Sequence, residues 1–380
     1  MNRSLAKLFK ASHVFSFRPL ASATQGKPER TCLYQFHVQN SGKMVDFAGW
    51  EMPVQYEGHS IVEFMESLTT ADVQGLEEDQ GTLTVFTNDQ GGILDDLIVS
   101  KTSLDHLYVV TNAGCIKTDL PHMQNHAEDF RGKGKDVTVE PLHGRGLLAL
   151  QGPEMVKILQ PGLSKVDLSR LYFMQSAVDT VFGIPDCRIT RCGYTGEDGV
   201  EISVDEKSTA KLAEIILSSK EGSSKLAGLG ARDACRLEAG LCLYGNDIDI
   251  TTSPGEAALL FVVAKRRRAA ADFPGAERIL REIKGKSYAR KRVGLVSEKG
   301  RPPRAHAEIL DENGLAKIGE VTSGCPSPCL KKNIAMGYVP PSHAKVGTRV
   351  KVDVTGKRDK LVDAVVSKMP FLPANYYHKK

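Results

Sequence analysis

A strand–turn–strand pattern between residues 82 and 99 constrains the fold more than any other part of the sequence. The segment 82–87 is rich in β-branched and aromatic residues, and an Asn-Asp-Gln-Gly-Gly stretch separates it from the apolar run 97–99. Two such runs joined by a glycine-containing turn are typical of a β-hairpin. A third strand is predicted at 107–112.

Two adjacent carboxylates, Asp95 and Asp96, stand at the start of the second strand. Aspartate is depleted in strands, and side chains alternate between the two faces of a strand, so one carboxylate points inward if the other faces solvent. A buried carboxylate is costly unless it has a partner or a function. From the residues alone, the simpler interpretation is that one aspartate caps the turn and the other pairs with a lysine or an arginine.

Length and composition indicate a globular chain of two or three domains. The chain has 380 residues, of which 41% are hydrophobic and 25% charged. The net charge of +4 does not indicate a nucleic-acid partner, and no apolar run approaches the roughly 20 residues that span a membrane. The eight cysteines form no CxxC pair, so we expect free thiols and no metal site.

Residues 1–28 differ in composition from the rest of the chain. They contain basic residues and serines among Leu, Phe and Val, and no acidic residue precedes Glu29. Because no continuous apolar core is present, this pattern favours a mitochondrial transit peptide over a secretory signal. A basic tail without a targeting role is the alternative.

The remaining pattern predicts an α+β region followed by an all-β region. Helices are predicted at 60–68, 116–127, 207–219, 226–241 and 274–284, and strands at 136–141, 146–151 and within 187–203. From residue 291 to 370, short apolar runs separated by Gly, Pro and Ser predict a β-barrel or sandwich, with a boundary near 284–290. The basic cluster 265–268 is interpreted as a solvated face, with docking of an acidic partner as the alternative.

Several motifs, in order along the chain, resemble the aminomethyltransferases, the T-protein family of the glycine cleavage system. They are spread from about residue 31 to the C-terminus and include residues 44–50 (MVDFAGW), 88–99, 110–115, 149–153, 190–202 (TRCGYTGEDGVEI), 231–241, 243–247, 321–324 and 375–377.

This resemblance implies a three-lobed, folate-binding fold, with two α+β lobes in 31–284 and a C-terminal β-barrel in 290–372. It also implies the reaction: a methylene carbon passes from the aminomethylated dihydrolipoyl arm of the carrier (H-protein) to tetrahydrofolate, with release of ammonia. Tetrahydrofolate is thus the expected co-substrate, no metal is expected, and the expected location is the mitochondrial matrix.

The resemblance also assigns the site. By their positions in the motifs, Asp96 is the expected catalytic carboxylate and Glu201 the expected pterin-binding residue. Without the motif, Glu201 would be interpreted as a surface strand residue, Arg232 as a local ion pair with Asp233 or Glu238, and Tyr376 as part of the barrel core. The expected substrate-binding residues are Glu201, Arg232, Tyr376, Asn112, Tyr194 and Tyr244.

The chain departs from the family pattern after Tyr56, where an arginine-bearing helix and a strand are missing. Loss of a strand is expected to expose unpaired sheet edges and to lower stability. A folate-binding or carrier-docking variant without transferase activity is therefore the alternative function, and a folate-binding relative that supports iron–sulfur enzyme maturation is a second. In 260–262 (LFV), a phenylalanine stands where relatives carry tryptophan, and we interpret it as a tolerated core substitution.

Overall fold

A computed structural model describes residues 53–298 and 300–379, together with Leu33 and Gln39. The transit-peptide prediction for 1–28 and the motif at 44–50 lie outside the described residues. The first lobe is built on a five-stranded antiparallel sheet in the order β2-β3-β4-β1-β5. Its strands are β1 (Pro53–Glu57), β2 (Gln80–Thr87), β3 (Ile93–Lys101), β4 (His106–Val110) and β5 (Thr138–Pro141).

Two helices cover one face of this sheet. They are α1 (Ile61–Leu68) and α2 (Ile116–Gly132), and they bury the first-lobe core between themselves and the strands. Phe64 of α1 and Met123 of α2 are fully buried there with Val99 of β3. The predicted hairpin is confirmed, with Gly91 in its turn at a φ of 74°, a conformation that glycine adopts without strain.

The sheet has no gap at the point where the chain departs from the family pattern. Strand β1 lies immediately before that point and pairs with β4 on one side and β5 on the other. In the described part of the chain, the edge strands are β2 and β5. Strand β1 is thus paired on both sides; exposure of β2 or β5 through loss of the missing strand and the expected loss of stability both stay predictions.

The second lobe contains a four-stranded sheet in the order β6-β9-β8-β7. Its elements are β6 (Arg145–Gln151), α3 (Met155–Leu159), β7 (Ser176–Val181), β8 (Ile184–Thr190), β9 (Gly199–Asp205), α4 (Glu206–Leu217) and α5 (Leu229–Glu238). Helix α5 is shorter than predicted. Gly228 precedes it in an extended conformation, and Gly240 follows it at a φ of 68°.

Two short helices lead into a closed barrel. They are α6 (Lys265–Ala270) and α7 (Ala276–Gly285), and the barrel order is β10-β13-β12-β11-β14-β15. The strands are β10 (Lys291–Ser297), β11 (Glu308–Leu310), β12 (Lys317–Ser327), β13 (Lys332–Val339), β14 (Arg349–Asp353) and β15 (Leu361–Ser367). The sequence predicted either a barrel or a sandwich, and the closed sheet shows that this domain is a barrel. None of the helices in the described residues is long and apolar enough to cross a membrane.

The arginines of α6 are used inside the molecule. Arg267 is fully buried and donates to the backbone carbonyls of Glu66 and Ala71 at 2.6 and 2.7 Å. Arg266 pairs with Glu66 and Asp72 of the first lobe. The interpretation of 265–268 as a solvated basic face is therefore wrong, because these side chains hold α6 against the first lobe.

The apolar turn before α6 also differs from its sequence interpretation. Phe261 is 67% exposed, whereas its neighbour Val262 is buried. The interpretation of Phe261 as a core substitution is wrong, since the 3₁₀ turn Leu260–Val262 directs Val262 inward instead.

Candidate functional site

Strand β3 sends its two aspartates to opposite faces of the first-lobe sheet. Asp95 is fully buried on the side of α2, whereas Asp96 is half-buried on the other face, in line with Ile98 and Ser100. Ile98 and Ser100 line a narrow cavity between the two sheets, and Glu201 lines its opposite wall. Asp96 therefore points to the same face of the sheet as the two residues that line this cavity, toward the cleft between the two lobes.

Asn112 binds both carboxylates. Its side-chain Nδ2 donates to Asp95 Oδ1 at 2.9 Å and to Asp96 Oδ1 at 3.0 Å, and its backbone N donates to Asp95 Oδ2 at 3.0 Å. Among the described residues, no lysine or arginine pairs with either aspartate. The simpler interpretation of the pair, a turn cap and an ion pair, is therefore wrong. Asn112 is more than pocket lining, because it fixes one oxygen of Asp96.

The surroundings of Asp96 favour its protonated form. Burial raises the pKa of Asp96 to about 7, and the neighbouring charge of Asp95 adds to the effect, while the hydrogen bond from Asn112 opposes it. A carboxyl group with a pKa near neutrality can both accept and release a proton under physiological conditions.

Behind Asp96, on the helix side of the sheet, lies a second acid. Asp119 of α2 is buried, and burial together with the charge of Asp95 raises its pKa to about 9. Cys115 is buried beside the two acids, and burial and the charge of Asp95 raise the pKa of its thiol. These three side chains are of types that also bind metals, and their polar atoms lie within 4.8 Å of one another. A proton on Asp119 accounts for the close approach of the two carboxyl groups without a cation.

Tyr194 and Arg232 lie together. The Tyr194 hydroxyl donates to the Cys242 carbonyl, and the Arg232 guanidinium lies 5.2 Å from the centre of the Tyr194 ring. Burial raises the pKa of Tyr194, and the charge of Asp96 contributes to the shift. Asp96 therefore influences Tyr194 electrostatically.

The two acids predicted as local ion-pair partners of Arg232, Asp233 and Glu238, both contact other residues. Asp233 pairs with Arg236 at 2.8 Å. Glu238 accepts hydrogen bonds from the Ser327 hydroxyl and the Cys329 backbone N. Both acids therefore stabilise other contacts of α5.

Glu201 and Tyr376 lie near opposite ends of the glycine-rich bend between β8 and β9. Cys192 and Glu201 line the same narrow cavity; burial raises the pKa of the Cys192 thiol, and the charge of Glu201 adds to the shift. The Tyr376 ring stacks on Phe173 at a centroid distance of 4.1 Å. Tyr376 therefore packs on the second lobe, and its interpretation as part of the barrel core is wrong.

The C-terminal segment reaches this position by crossing the second lobe after β15. The Asn375 backbone N donates to the Gly196 carbonyl at 2.8 Å, and the Phe173 backbone N donates to the Tyr377 carbonyl at 2.7 Å. These two bonds flank Tyr376 and fix its ring beside the bend.

Tyr244 lies at the start of β3. Its hydroxyl donates to the Ile93 carbonyl at 3.3 Å, and its ring packs beside Ile93 and Val85. It therefore supports the strand that carries the two aspartates. Of the predicted residues, the structure brings Asp96 into contact with Asn112, and Tyr194 into contact with Arg232.

Sequence reasoning missed the acid pair behind Asp96 and a buried ion pair that joins α5 to the barrel. Arg236 donates to Asp247 at 2.5 Å and to Ser323 of β12 at 2.8 Å. The sequence did contain an indication that Asp119 is buried: it lies in an amphipathic helix, one turn after Cys115, on the face that packs against the sheet. No sequence signal indicated that Arg236 and Asp247 would pair.

Comparisons with known proteins agree with the fold. Residues 57–267 match the GCVT N-terminal domain, and residues 290–372 match the glycine cleavage T-protein C-terminal barrel domain. Mitochondrial aminomethyltransferase of Homo sapiens is 52% identical over 391 residues, covering 96% of this chain and 94% of the relative. That of Solanum tuberosum is 48% identical over 383 residues, covering 93% and 92%.

A solved structure is also similar. The glycine cleavage system aminomethyltransferase T from Bartonella henselae matches with a TM-score of 0.83 and 34% identity, covering 92% of this chain and 99% of that one. The alignment with the human relative is longer than the 380 residues of this chain, so the relative has residues without a counterpart here. The chain belongs to the aminomethyltransferase family of the glycine cleavage system.

Proposed function

We propose that this chain transfers the methylene carbon of an aminomethylated dihydrolipoyl group to tetrahydrofolate, releasing ammonia and giving 5,10-methylenetetrahydrofolate. The lipoylated H-protein presents the aminomethyl group. The observation that carries the proposal is a carboxylate, Asp96, that faces the cleft between the lobes with one oxygen fixed by Asn112. The reaction is inferred from membership of the family, and Asp96 is the group that we propose stabilises the charge that develops during transfer.

Asp96 acts on the charge that develops during transfer. When bound, tetrahydrofolate supplies the N5 amine as nucleophile, and positive charge grows on the transferred carbon and on N5. The ionised Asp96 carboxylate stabilises this charge from a fixed position in a partly desolvated cleft. With a pKa near 7, Asp96 also accepts the proton that N5 loses and returns it to the departing amine. The bond from the carbon to the dihydrolipoyl sulfur breaks as N10 bonds to the carbon, and the proton from N10 passes to the sulfur, which leaves as a free thiol.

The donors of a pterin match the acceptor that Glu201 offers. The 2-amino group and the ring N–H of a pterin are donors, and the facing wall offers the Glu201 carboxylate, which can accept both in fork geometry. Tyr376 presents a ring beside the bend that carries Glu201, and Arg232 adds a cation near Tyr194. We assign Glu201 to the pterin, Tyr376 to stacking, and Arg232, Tyr194 and Tyr244 to the walls of the site.

The test of the reaction uses the purified full chain, aminomethylated H-protein and tetrahydrofolate. We expect ammonia and 5,10-methylenetetrahydrofolate in equal amounts, each dependent on both substrates. Failure to form either product by a folded chain would reject transferase activity and leave the non-catalytic alternative.

The pterin assignment is tested by calorimetry of tetrahydrofolate binding. We expect Glu201→Ala to weaken binding by about tenfold or more, because two charge-assisted hydrogen bonds are lost. Glu214→Ala, on the exposed side of α4, is the matched control and should leave affinity unchanged. Equal affinities of Glu201→Ala and the unmodified chain would remove Glu201 from the site.

The relatives are named mitochondrial, which supports the same organelle for this chain. We propose the matrix, where residues 1–28 would direct import. A fluorescent reporter fused to residues 1–30 should accumulate in the matrix of transfected cells, and diffuse cytosolic signal would contradict the proposal.

A further inference from the structure

We propose that Asp95 and Asp119 form a hydrogen-bonded acid pair that positions Asp96 through Asn112 and sets the pH range in which Asp96 works. The proposal rests on the proposed function for its kinetic readout. It assigns positioning roles to two residues, on the far side of β3, that do not line the cleft.

A series of close polar contacts crosses the strand. On the side of α2, the polar atoms of Asp119 and Cys115 lie within 4.8 Å of those of Asp95, and we place the proton that the two acids share on Asp119. Asp95 accepts two bonds from Asn112, at 2.9 and 3.0 Å, and Asn112 donates onward to Asp96 at 3.0 Å. One asparagine amide thus transmits the position of the buried pair to the oxygen that faces the cleft.

The charge state of the pair follows from its neighbours. Asp95 is buried and accepts two hydrogen bonds from Asn112, with no cation beside it among the described residues. Burial raises the pKa of Asp95, whereas the bonds from Asn112 stabilise its ionised form; the pKa of Asp119 is raised to about 9 by burial and by the charge of Asp95. In the proposed pair, Asp119 therefore holds the proton and Asp95 the negative charge.

That charge acts on Asp96 together with other groups. Among the described residues, the titratable groups that interact with Asp96 include Asp95 on its own strand, Cys115 and Asp119 on the helix side, and Tyr194 and Cys242 from the second lobe. After burial, the charge of Asp95 is the main influence that raises the pKa of Asp96 to about 7. Removal of that charge should make Asp96 a stronger acid.

The kinetic test compares pH profiles of kcat at saturating substrates. If transfer requires ionised Asp96, the acidic limb of the unmodified enzyme lies near pH 7. In Asp95→Asn the limb should move down by about one pH unit, because a like charge next to the carboxyl is lost. A folded Asp95→Asn protein with an unmoved limb would overturn the proposal.

A matched pair of variants tests Asp119. Asp119→Asn keeps a donor to Asp95 and should retain kcat within about twofold, whereas Asp119→Ala removes the donor and should lower kcat by about tenfold with folate affinity unchanged. Circular dichroism and thermal melts confirm that both variants are folded. Equal kcat values for Asp119→Ala and the unmodified enzyme would contradict a positioning role.

Infrared spectroscopy tests the pair without any reaction. At pH 8 Asp96 is mostly ionised, so the C=O stretch of a buried protonated carboxyl should belong to Asp119 and vanish in Asp119→Asn. Absence of this band from the unmodified protein would overturn the acid pair, as would one equivalent of tightly bound divalent metal. Should the chain lack transferase activity while the band is present, the proposed function fails and the acid pair stands.

Discussion

The contribution of the buried ion pair Arg236–Asp247 to the free energy of unfolding can be estimated from its contacts. Arg236 is 2% exposed and donates to the Asp247 carboxylate at 2.5 Å, to Ser323 at 2.8 Å and to the Leu241 carbonyl at 3.1 Å. In Arg236→Met these donors disappear. Asp247 then keeps only the Leu243 backbone N and the Thr322 hydroxyl, and its charge is buried without a cation.

Breaking a buried pair by removing one partner costs about 3–5 kcal/mol, because the remaining charge is left uncompensated. We therefore expect Arg236→Met to lower the free energy of unfolding by that amount, measured by urea denaturation. Domain stabilities are about 5–15 kcal/mol, so the shift of the denaturation midpoint should be large. The double variant Arg236→Met/Asp247→Leu should recover much of the loss, since no charge remains buried.

Arg281→Met is the matched control. Arg281 is 66% exposed and pairs loosely with Glu277 at 3.8 Å, so its loss should change the free energy of unfolding by less than about 0.5 kcal/mol. A loss below about 1 kcal/mol in Arg236→Met, comparable to that of an exposed pair, would refute the reasoning. The barrel would then be held to α5 by contacts other than this ion pair.

Three further outcomes are expected. Arg267→Met should lower the free energy of unfolding by about 3 kcal/mol or more in urea titrations, because it leaves buried carbonyls without donors. Asp96 and Asp119 hold protons in the folded chain above their ordinary pKa of 3.8, so folding takes up protons and stability falls as pH rises from about 4 toward about 9. Each such group changes the free energy of unfolding by up to about 1.4 kcal/mol per pH unit. The free energies of unfolding at pH 6 and pH 8, measured by urea denaturation, should therefore differ less in Asp119→Asn than in the unmodified chain. Tyr376→Ala should weaken tetrahydrofolate binding by about tenfold in calorimetry, since a stacking surface is lost.

Local patterns predicted the parts of the fold that depend on local physics. The hairpin around Gly91, helix α1 and the barrel region follow from turn residues and from apolar periodicity, and all three are confirmed. Strand alternation also predicted that one of the two aspartates at 95 and 96 points inward. The motif resemblance was needed to choose Asp96 for catalysis, because the residues alone favoured a structural pair.

Contacts between residues distant in the chain could not be predicted from the sequence. The partners of Asp95 come from Asn112 and Asp119, which no local pattern links to β3. The sequence could not reveal the contacts of the basic cluster of α6. Arg267, for example, donates to the backbone carbonyl of Ala71, and every residue has a backbone carbonyl. Likewise, β1 fills the interior of the first-lobe sheet only because both neighbours, β4 and β5, are placed to pair with it.

The central claim is that Asp96 stabilises the migrating one-carbon cation, and a single-turnover assay of Asp96→Asn tests it most directly. Aminomethylated H-protein and tetrahydrofolate are mixed with excess enzyme, and 5,10-methylenetetrahydrofolate is followed in time. The account predicts a rate at least about 100-fold below that of the unmodified chain, with folate affinity unchanged, whereas Asp89→Asn in the exposed hairpin turn should react normally. A near-normal rate for Asp96→Asn would contradict the account.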